Sequence, residues 1–452
     1  MLSFVPLAFA LDTVVVGAGV SGLRAAALLG AAGKRVCVLD AADGVGGRVR
    51  TDVVDGFQLD RGFAVFLSAY PESQAALDYD ALALRNFWPG AMVQRTADRC
   101  LIADPTRAPL STLLPTLRFP IGTVAEKVRL SLAVLRLKLT SLEAIFARDE
   151  IDTLSHLRDR IGLGNSELIA RFFTPFLRGI YLAPLERQSS ILFDFVLRMF
   201  ADGDVALPER GIGAVAEQLA ATARDAGCDI QLESAVAALR LDVGDGVHEV
   251  VLADGAALRC ASVVLATPPG EAARLLRSAS EVPGMVGRYR SLEPASGASL
   301  ASTTIYFALD GPPPVAEPVL VLNGRLDGSI NSVCFPSAVC ERYAPPGRHL
   351  ASVTLLGART EGDEALVASV RAELAGWFGA EEVDAWRHLR TYVVRGAQLA
   401  RPPPNVGGFN RQPRCEGLRS VYLCGDHAST PSLNGALRAG RVAAEAVLSD
   451  FE

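Results

Sequence analysis

Apolar positions are packed most densely near the start of the chain. Residues 13–16 form a β-branched run after Asp12, and a short unbroken run of this kind reads as a strand buried on both faces. It passes directly into Gly17-Ala18-Gly19-Val20-Ser21-Gly22. Residues 23–32 are rich in Ala and Leu and predict a helix that Gly33 ends. Residues 35–39 predict a second strand, with Asp40 at its C-terminal end. The whole is a β-α-β unit of about 30 residues.

Further along, the period changes. Residues 72–200 have mostly helical spacing, clearest over 124–147 and 165–200. A turn is expected at 208–213 and a helix at 214–226. Short alternating segments follow at 229–233, 236–241, 248–252 and 262–266, a strand series expected to rejoin the first unit. Residues 300–307, 317–323, 329–335 and 350–356 predict a second sheet. Helices are expected at 364–378 and 434–449, separated by a Pro- and Gly-rich loop at 402–408. The fold class is α/β: a discontinuous Rossmann-like domain from residues 12–75, 203–275 and 412–452, with an α+β substrate domain from a helical insert (76–202) and a sheet (276–411).

Composition narrows the function. The 452 residues suit two large domains or three at about 150 residues each. Half the chain is hydrophobic and 21% charged, which excludes disorder. A net charge of −6 gives no global field to recruit nucleic acid. The longest apolar stretch, residues 2–11, is broken by Pro6, whereas a spanning helix needs about 20 residues. That stretch reads as an N-terminal strand or a targeting remnant, and leaves the compartment open between cytoplasm and a plastid-type organelle. The eight cysteines form no C-x-x-C pair, so buried reduced thiols are expected and no metal site is.

The glycine turn carries the first chemistry. Gly17 permits a tight strand-to-helix turn, Gly19 lets a pyrophosphate approach the backbone, and Gly22 lets the helix pack on the strand. The phosphates then meet free N–H groups at the helix N-terminus, at Val20 and Ser21. Asp40, 21 residues after Gly19, is placed to accept ribose hydroxyls, which suits an unphosphorylated ribose, hence FAD or NAD rather than NADP. A second glycine loop, Gly44-Val45-Gly46-Gly47-Arg48, follows at once, and Arg48 offers a fork for a phosphate. A simple nicotinamide dehydrogenase has no use for it.

Those motifs, with Thr51 and Asp60-x-Gly62, resemble the flavin amine oxidase superfamily, which includes amine oxidases, protoporphyrinogen oxidase, phytoene desaturases and carotenoid isomerases. More than 370 residues later the likeness resumes at Val421-Tyr422-Leu423-Cys424-Gly425-Asp426 and Ser432-Leu433-Asn434-Gly435-Ala436. Leu207-Pro208, Gly211, the strand at Val236, and Ala266-Thr267-Pro268-Pro269 resemble the central FAD segment. The resemblance implies non-covalent FAD, with Val236 gripping adenine through its backbone. It also implies Gly425 and Asp426 near the ribityl and pyrophosphate, and Asn434, Gly435 and Ala436 at a helix start aimed at the flavin ring.

The family's amine oxidases hold a lysine near flavin N5. This chain has only Lys34, Lys127 and Lys138, so that device is absent. The expectation is therefore an FAD oxidoreductase moving hydride from a lipophilic substrate to flavin N5, reoxidised by dioxygen or another acceptor. The alternatives are a carotenoid-type desaturase or isomerase and a catalytically silent FAD-binding protein. No catalytic residue can be named. His427 is placed by motif near the flavin, the other histidines read as surface residues, and Tyr181, Tyr306 and Tyr392 are candidates to wall the flavin. Helix 124–147 carries Lys127, Arg129, Arg136 and Lys138 among apolar residues, which suggests peripheral contact with anionic lipid. The oligomeric state is open.

Overall fold

A computed structural model of the chain describes residues 11–451 except 97, 105–106, 108, 244–245, 280–298, 406–407 and 410. The reading of residues 1–10 as strand or targeting remnant falls outside the described residues.

The predicted β-α-β unit forms as β1 (Leu11–Val16), α1 (Val20–Ala31) and β2 (Val36–Leu39). The β-branched and Cys residues of both strands are buried because helices or loops cover both faces, which is why these strands show no alternation. Asp229–Gln231 pairs parallel with β2, and Ala257–Leu265 pairs parallel with β1. The latter strand is the junction of the sheet. Its first half pairs antiparallel with His248–Leu252, and its second half pairs parallel with Val421–Leu423. Strands from residues 11–39, 229–265 and 421–423 thus share one sheet.

Helix α1 packs against Gly213–Asp225 and the terminal helix Leu433–Asp450, in a core of Leu23, Ala26, Leu219, Ala220, Leu437 and Ala443. Small residues let these helices approach closely. At Gly440 a Cβ would run into the Ser21 carbonyl oxygen, so the terminal helix sits directly on the start of α1.

A second sheet runs in the order 387–399, 299–309, 349–356, 330–334, 320–323, 90–94, 99–103, covered on one face by Asp363–Phe378. Two of its strands differ from expectation. Gly90–Gln94 and Arg99–Ala103 lie within the region of helical period, yet Gly90–Gln94 pairs parallel with Leu320–Asn323, more than 200 residues away. The long strand Arg387–Leu399 was not expected either. It is an edge strand with many exposed positions, including Arg387, Arg390 and Arg395, so it shows no clean alternation. The 124–147 period is two helices, Val124–Lys138 and Leu142–Phe146, with Ser141 capping the second. The 165–200 period breaks between Thr174–Tyr181 and Ser190–Asp202, where Leu182 turns left-handed at φ 57°. Among the described residues no helix is long and apolar enough to cross a bilayer.

One buried acid ties the two sheets together. Asp60 accepts hydrogen bonds from Thr51 Oγ1 (2.6 Å), Ile212 N (3.0 Å) and Tyr343 OH (3.1 Å), and its carbonyl accepts one from Tyr306 OH (2.9 Å). Tyr306 stands on a strand of the second sheet, while Ile212 leads into the helix that packs on α1. Burial pushes the Asp60 carboxyl up to about 6 against the pull of these donors.

Candidate cofactor site

Each glycine of the first turn has a distinct geometric reason to be glycine. Gly17 sits at φ 111°, and a Cβ there would lie 2.8 Å from the Ala266 carbonyl oxygen. At Gly22 a Cβ would strike the Gly17 carbonyl oxygen. At Gly19 it would meet nothing within 4 Å. Two of the glycines therefore close the turn, and the third faces open space at the N-terminus of α1, beside Val20 and Ser21. Space that a methyl could fill beside unpaired helix N–H groups is what a pyrophosphate requires.

The second glycine loop lies against the first. Gly46 N donates to Ala18 O (2.8 Å), Gly19 and Gly46 form a bridge, and a Cβ on Gly47 would reach Gly19 Cα at 3.6 Å. Asp40 locks both: its carboxylate accepts from Ala18 N (2.7 Å) and Ala42 N (2.8 Å). The acid expected at the ribose is thus also the clamp that sets the shape of the first turn.

The far end of the chain closes the same cradle. Arg48 Nη2 pairs with Asp426 Oδ1 at 2.7 Å, and Arg48 Nη1 donates to Ala397 O at 2.9 Å. Cys424 N donates to Leu265 O, which carries Gly425 and Asp426 past the end of β1's neighbour. Burial would raise the Asp426 pKa, but Arg48, helped by His427 and Arg401, holds it below the ordinary carboxylate value. His427 is driven the other way. Burial, reinforced by Arg401, Arg48 and Arg411, lowers it to about 4 despite Asp426, so its imidazole is neutral at pH 7. Its Nε2 is buried and makes no hydrogen bond within the described residues, as is Thr267 Oγ1 after the junction strand. Arg48 and Arg401 beside one carboxylate, with Arg411 near His427, give a locally positive site that would favour a phosphate or a reduced, anionic ring.

The remaining candidates fall in several places. Gly435 must be glycine, since a Cβ there would overlap the Thr430 carbonyl, and Ser432 caps the helix by accepting from Gly435 N (3.1 Å). Asn434 accepts from Glu72 N (3.0 Å), which fixes the short helix Pro71–Ala76 over the helix start. Ala436 packs against the first core. Val236 opens the hairpin strand beyond Asp40, and its carbonyl accepts from Arg274 Nη2 (2.8 Å), so that acceptor is shared with an arginine. Tyr306 does not wall the flavin but is core, its hydroxyl spent on Asp60. Tyr392 bonds Asp52. His156 and His248 are buried rather than on the surface, and His156 Nε2 lies 3.0 Å from Asp194 Oδ1. All eight cysteines are free and all but Cys100 fully buried; Cys424, at 0% exposure, is a packing residue.

A narrow crevice opens beside this cradle. Tyr181, Ala183, Leu192, Leu399, Ala400 and Pro431 make its apolar walls, and Arg187, Gln188, Gln398 and Arg401 its polar ones. Arg401 bonds the His427 carbonyl, which links crevice to cradle. The sequence reading missed Arg401 because nothing local marks it: it precedes a run of prolines, and its role depends on residues 26 positions later.

Two glycine turns, a clamping acid and a C-terminal Gly-Asp loop that meet beyond the C-terminal ends of adjoining parallel strands define a dinucleotide-binding α/β protein. The family profile described as flavin containing amine oxidoreductase matches residues 20–448. The chain belongs to that family and is an FAD-dependent oxidoreductase whose cofactor is bound non-covalently. It is 24% identical to the 15-cis-phytoene desaturase of Solanum lycopersicum, over 98% of this chain and 78% of that protein. It is 29% identical to the putrescine oxidase of Kocuria rosea, over 58% of each. The cyclohexylamine oxidase of Brevibacterium oxydans IH-35A shares the fold, with a TM-score of 0.67, 16% identity, and 98% and 99% of the two chains covered.

Proposed function

We propose that the enzyme removes hydride from a C–H bond of a lipophilic substrate, with dioxygen or another acceptor completing the cycle. FAD, when bound, supplies a hydride acceptor at N5. In this reading the FAD-binding unit is residues 12–75, 203–275 and 412–452, and residues 76–202 and 276–411 carry the substrate. Gly17, Gly19, Val20, Ser21 and Gly22 take the pyrophosphate, with Gly46, Gly47 and Arg48 beside them. Asp40 takes ribose hydroxyls, and Val236 takes adenine through its backbone. Gly425 and Asp426 line the ribityl chain, while Asn434, Gly435 and Ala436 set the helix N-terminus toward the ring.

The observation that carries the substrate reading is the set of apolar side chains, Tyr181, Leu192, Leu399 and Pro431, gathered beside the cradle. The crevice walls carry Tyr181, Leu192 and Leu399 beside the cations Arg187 and Arg401, and Asp426 is already paired with Arg48. No lysine occurs after Lys138, so a polar amine finds no lysine-held water there. Neutral His427 and Arg401 orient what enters the crevice. A desaturase or isomerase acting on a polyene is the second reading, favoured by the similarity to a phytoene desaturase along nearly the whole chain. Such a substrate would be drawn from a membrane, which the reading extends to peripheral contact through residues 124–147.

The test is anaerobic reduction of purified yellow holoprotein. Bleaching of the flavin band by polyenes or porphyrinogens but not by simple amines is expected. Rapid bleaching by putrescine or cyclohexylamine would overturn the lipophilic reading.

A further inference from the structure

The helix Val124–Lys138 has two apolar faces, and only one has a protein partner. Leu130, Val134 and Leu137 turn inward, with Leu137 buried and Leu130 packed against the helical core. On the opposite side Val124, Val128, Leu132, Leu135 and Leu139 recur at spacings of four, four, three and four, a single helical stripe. All five are exposed, from 48% at Leu132 to 82% at Leu139. Charged and polar residues ordinarily occupy such a face, and here they do not.

The cations stand on the shoulders of that stripe. At about 100° per residue, Arg129 and Arg136 project on one side and Lys127 and Lys138 on the other. Lys127, Arg129 and Lys138 spend hydrogen bonds on main-chain carbonyls, of Phe119, Gly162 and Ala201, and of these Arg129 also attracts Glu126. The helix's one acid, Glu126, is spent in a capping box with Thr123. Just upstream Leu110 and Leu114 are also exposed.

We propose that this face docks flat on an anionic lipid bilayer. The five apolar side chains would enter the acyl boundary while the four cations, their stems lying along the same surface, reach the headgroup phosphates. The charge pattern selects this occupant. A second copy of the chain would bring the same cations face to face, and in a chain of net charge −6 these four cations on one helix have a local positive field that an anionic surface meets. This inference shares the membrane contact of the functional reading but rests on the helix alone, so it stands or falls without any turnover.

The test is flotation of intact holoprotein with phosphatidylcholine vesicles, with and without phosphatidylglycerol. Binding is expected only with phosphatidylglycerol, weakening as salt rises. Leu132→Asp with Leu135→Asp should weaken partition about tenfold or more, and Arg129→Glu with Arg136→Glu should abolish the preference for anionic lipid. Flavin absorbance and melting temperature report that these solvent-facing variants still fold. Equal binding to both vesicle types, full binding by the double Asp variant, or no flotation at all would each overturn the proposal. So would light scattering that shows dimers which the double Asp variant breaks. Failure of every lipophilic substrate to bleach the flavin would count against the functional reading and leave this one untouched.

Discussion

At the scale of single residues, the first glycine turn makes a prediction that separates folding from binding. Gly22→Ala forces a methyl into the Gly17 carbonyl, so the backbone must shift whether or not FAD is present. A loss of about 1–3 kcal/mol is expected in urea unfolding of apoprotein and holoprotein alike. Gly19→Ala meets only open space, so the apoprotein should melt as wild type while FAD affinity falls at least tenfold in a fluorescence titration. A Gly19→Ala protein that keeps full affinity would remove the pyrophosphate from that turn. Asp60 makes a pH prediction. Its folded pKa of about 6 exceeds the unfolded value of roughly 3.9, so the native state holds the proton more tightly. Its contribution is most favourable below pH 4 and is lost as pH rises through 6. Between pH 4.5 and 7, wild type should lose about 2 kcal/mol relative to Asp60→Asn, read from urea midpoints at the two pH values.

At the scale of elements, the Arg48–Asp426 pair is the latch between the second glycine loop and the C-terminal loop. Arg48 is about half exposed, so solvent screens part of the attraction, and Asp426 is mostly buried. Arg48→Met leaves a buried carboxylate without its nearest cation. A cost of about 1–2 kcal/mol at pH 7 is expected, with a marked loss of FAD retention on gel filtration. Because Arg48 is what most depresses the Asp426 pKa, the variant's deficit should shrink as pH falls and the carboxyl takes a proton. A pH-independent deficit would mean that the pair does not govern Asp426.

The latch also shows what could be read from sequence. The motifs at Gly17, Gly46 and Gly425 were legible because each encodes a local backbone constraint that only glycine meets. That Asp426 lies near the first turn was legible only through resemblance, and its pairing with Arg48 was not legible at all, because the two stand 378 residues apart. The strands Gly90–Gln94 and Arg99–Ala103 were not legible, since GAMVQ and RCLIA acquire strand character from a partner at Leu320–Asn323. Tyr306 misled for a related reason. An aromatic with a hydroxyl reads as a ligand wall until its hydroxyl is seen to be occupied by Asp60.

At the scale of the whole molecule, the question is whether the two sheets unfold together. Their cores are distinct: one holds α1 and the terminal helix, the other Trp377, Trp386 and Phe335. A chain built that way could melt in two steps. Against this, Asp60 binds Thr51 and Ile212 on one side and Tyr306 and Tyr343 on the other, and a group of that kind cannot be released from one core without stranding polar atoms in its neighbour. The cradle adds a second tie, because Arg48 donates to Ala397 O on the edge strand of the second sheet and Arg401, just beyond that strand, bonds the His427 carbonyl. Calorimetry should therefore show one transition, raised as a unit by FAD. At a free concentration a hundred times the dissociation constant, the gain should be about 2.7 kcal/mol. Asp60→Ala, which cuts the tie between the cores and leaves the cradle glycines untouched, should split the trace into two peaks, of which FAD moves only one. A single peak that persists in Asp60→Ala would place the coupling in the broader packing between the sheets, and two peaks in wild type would show that the buried acid joins cores which still unfold apart.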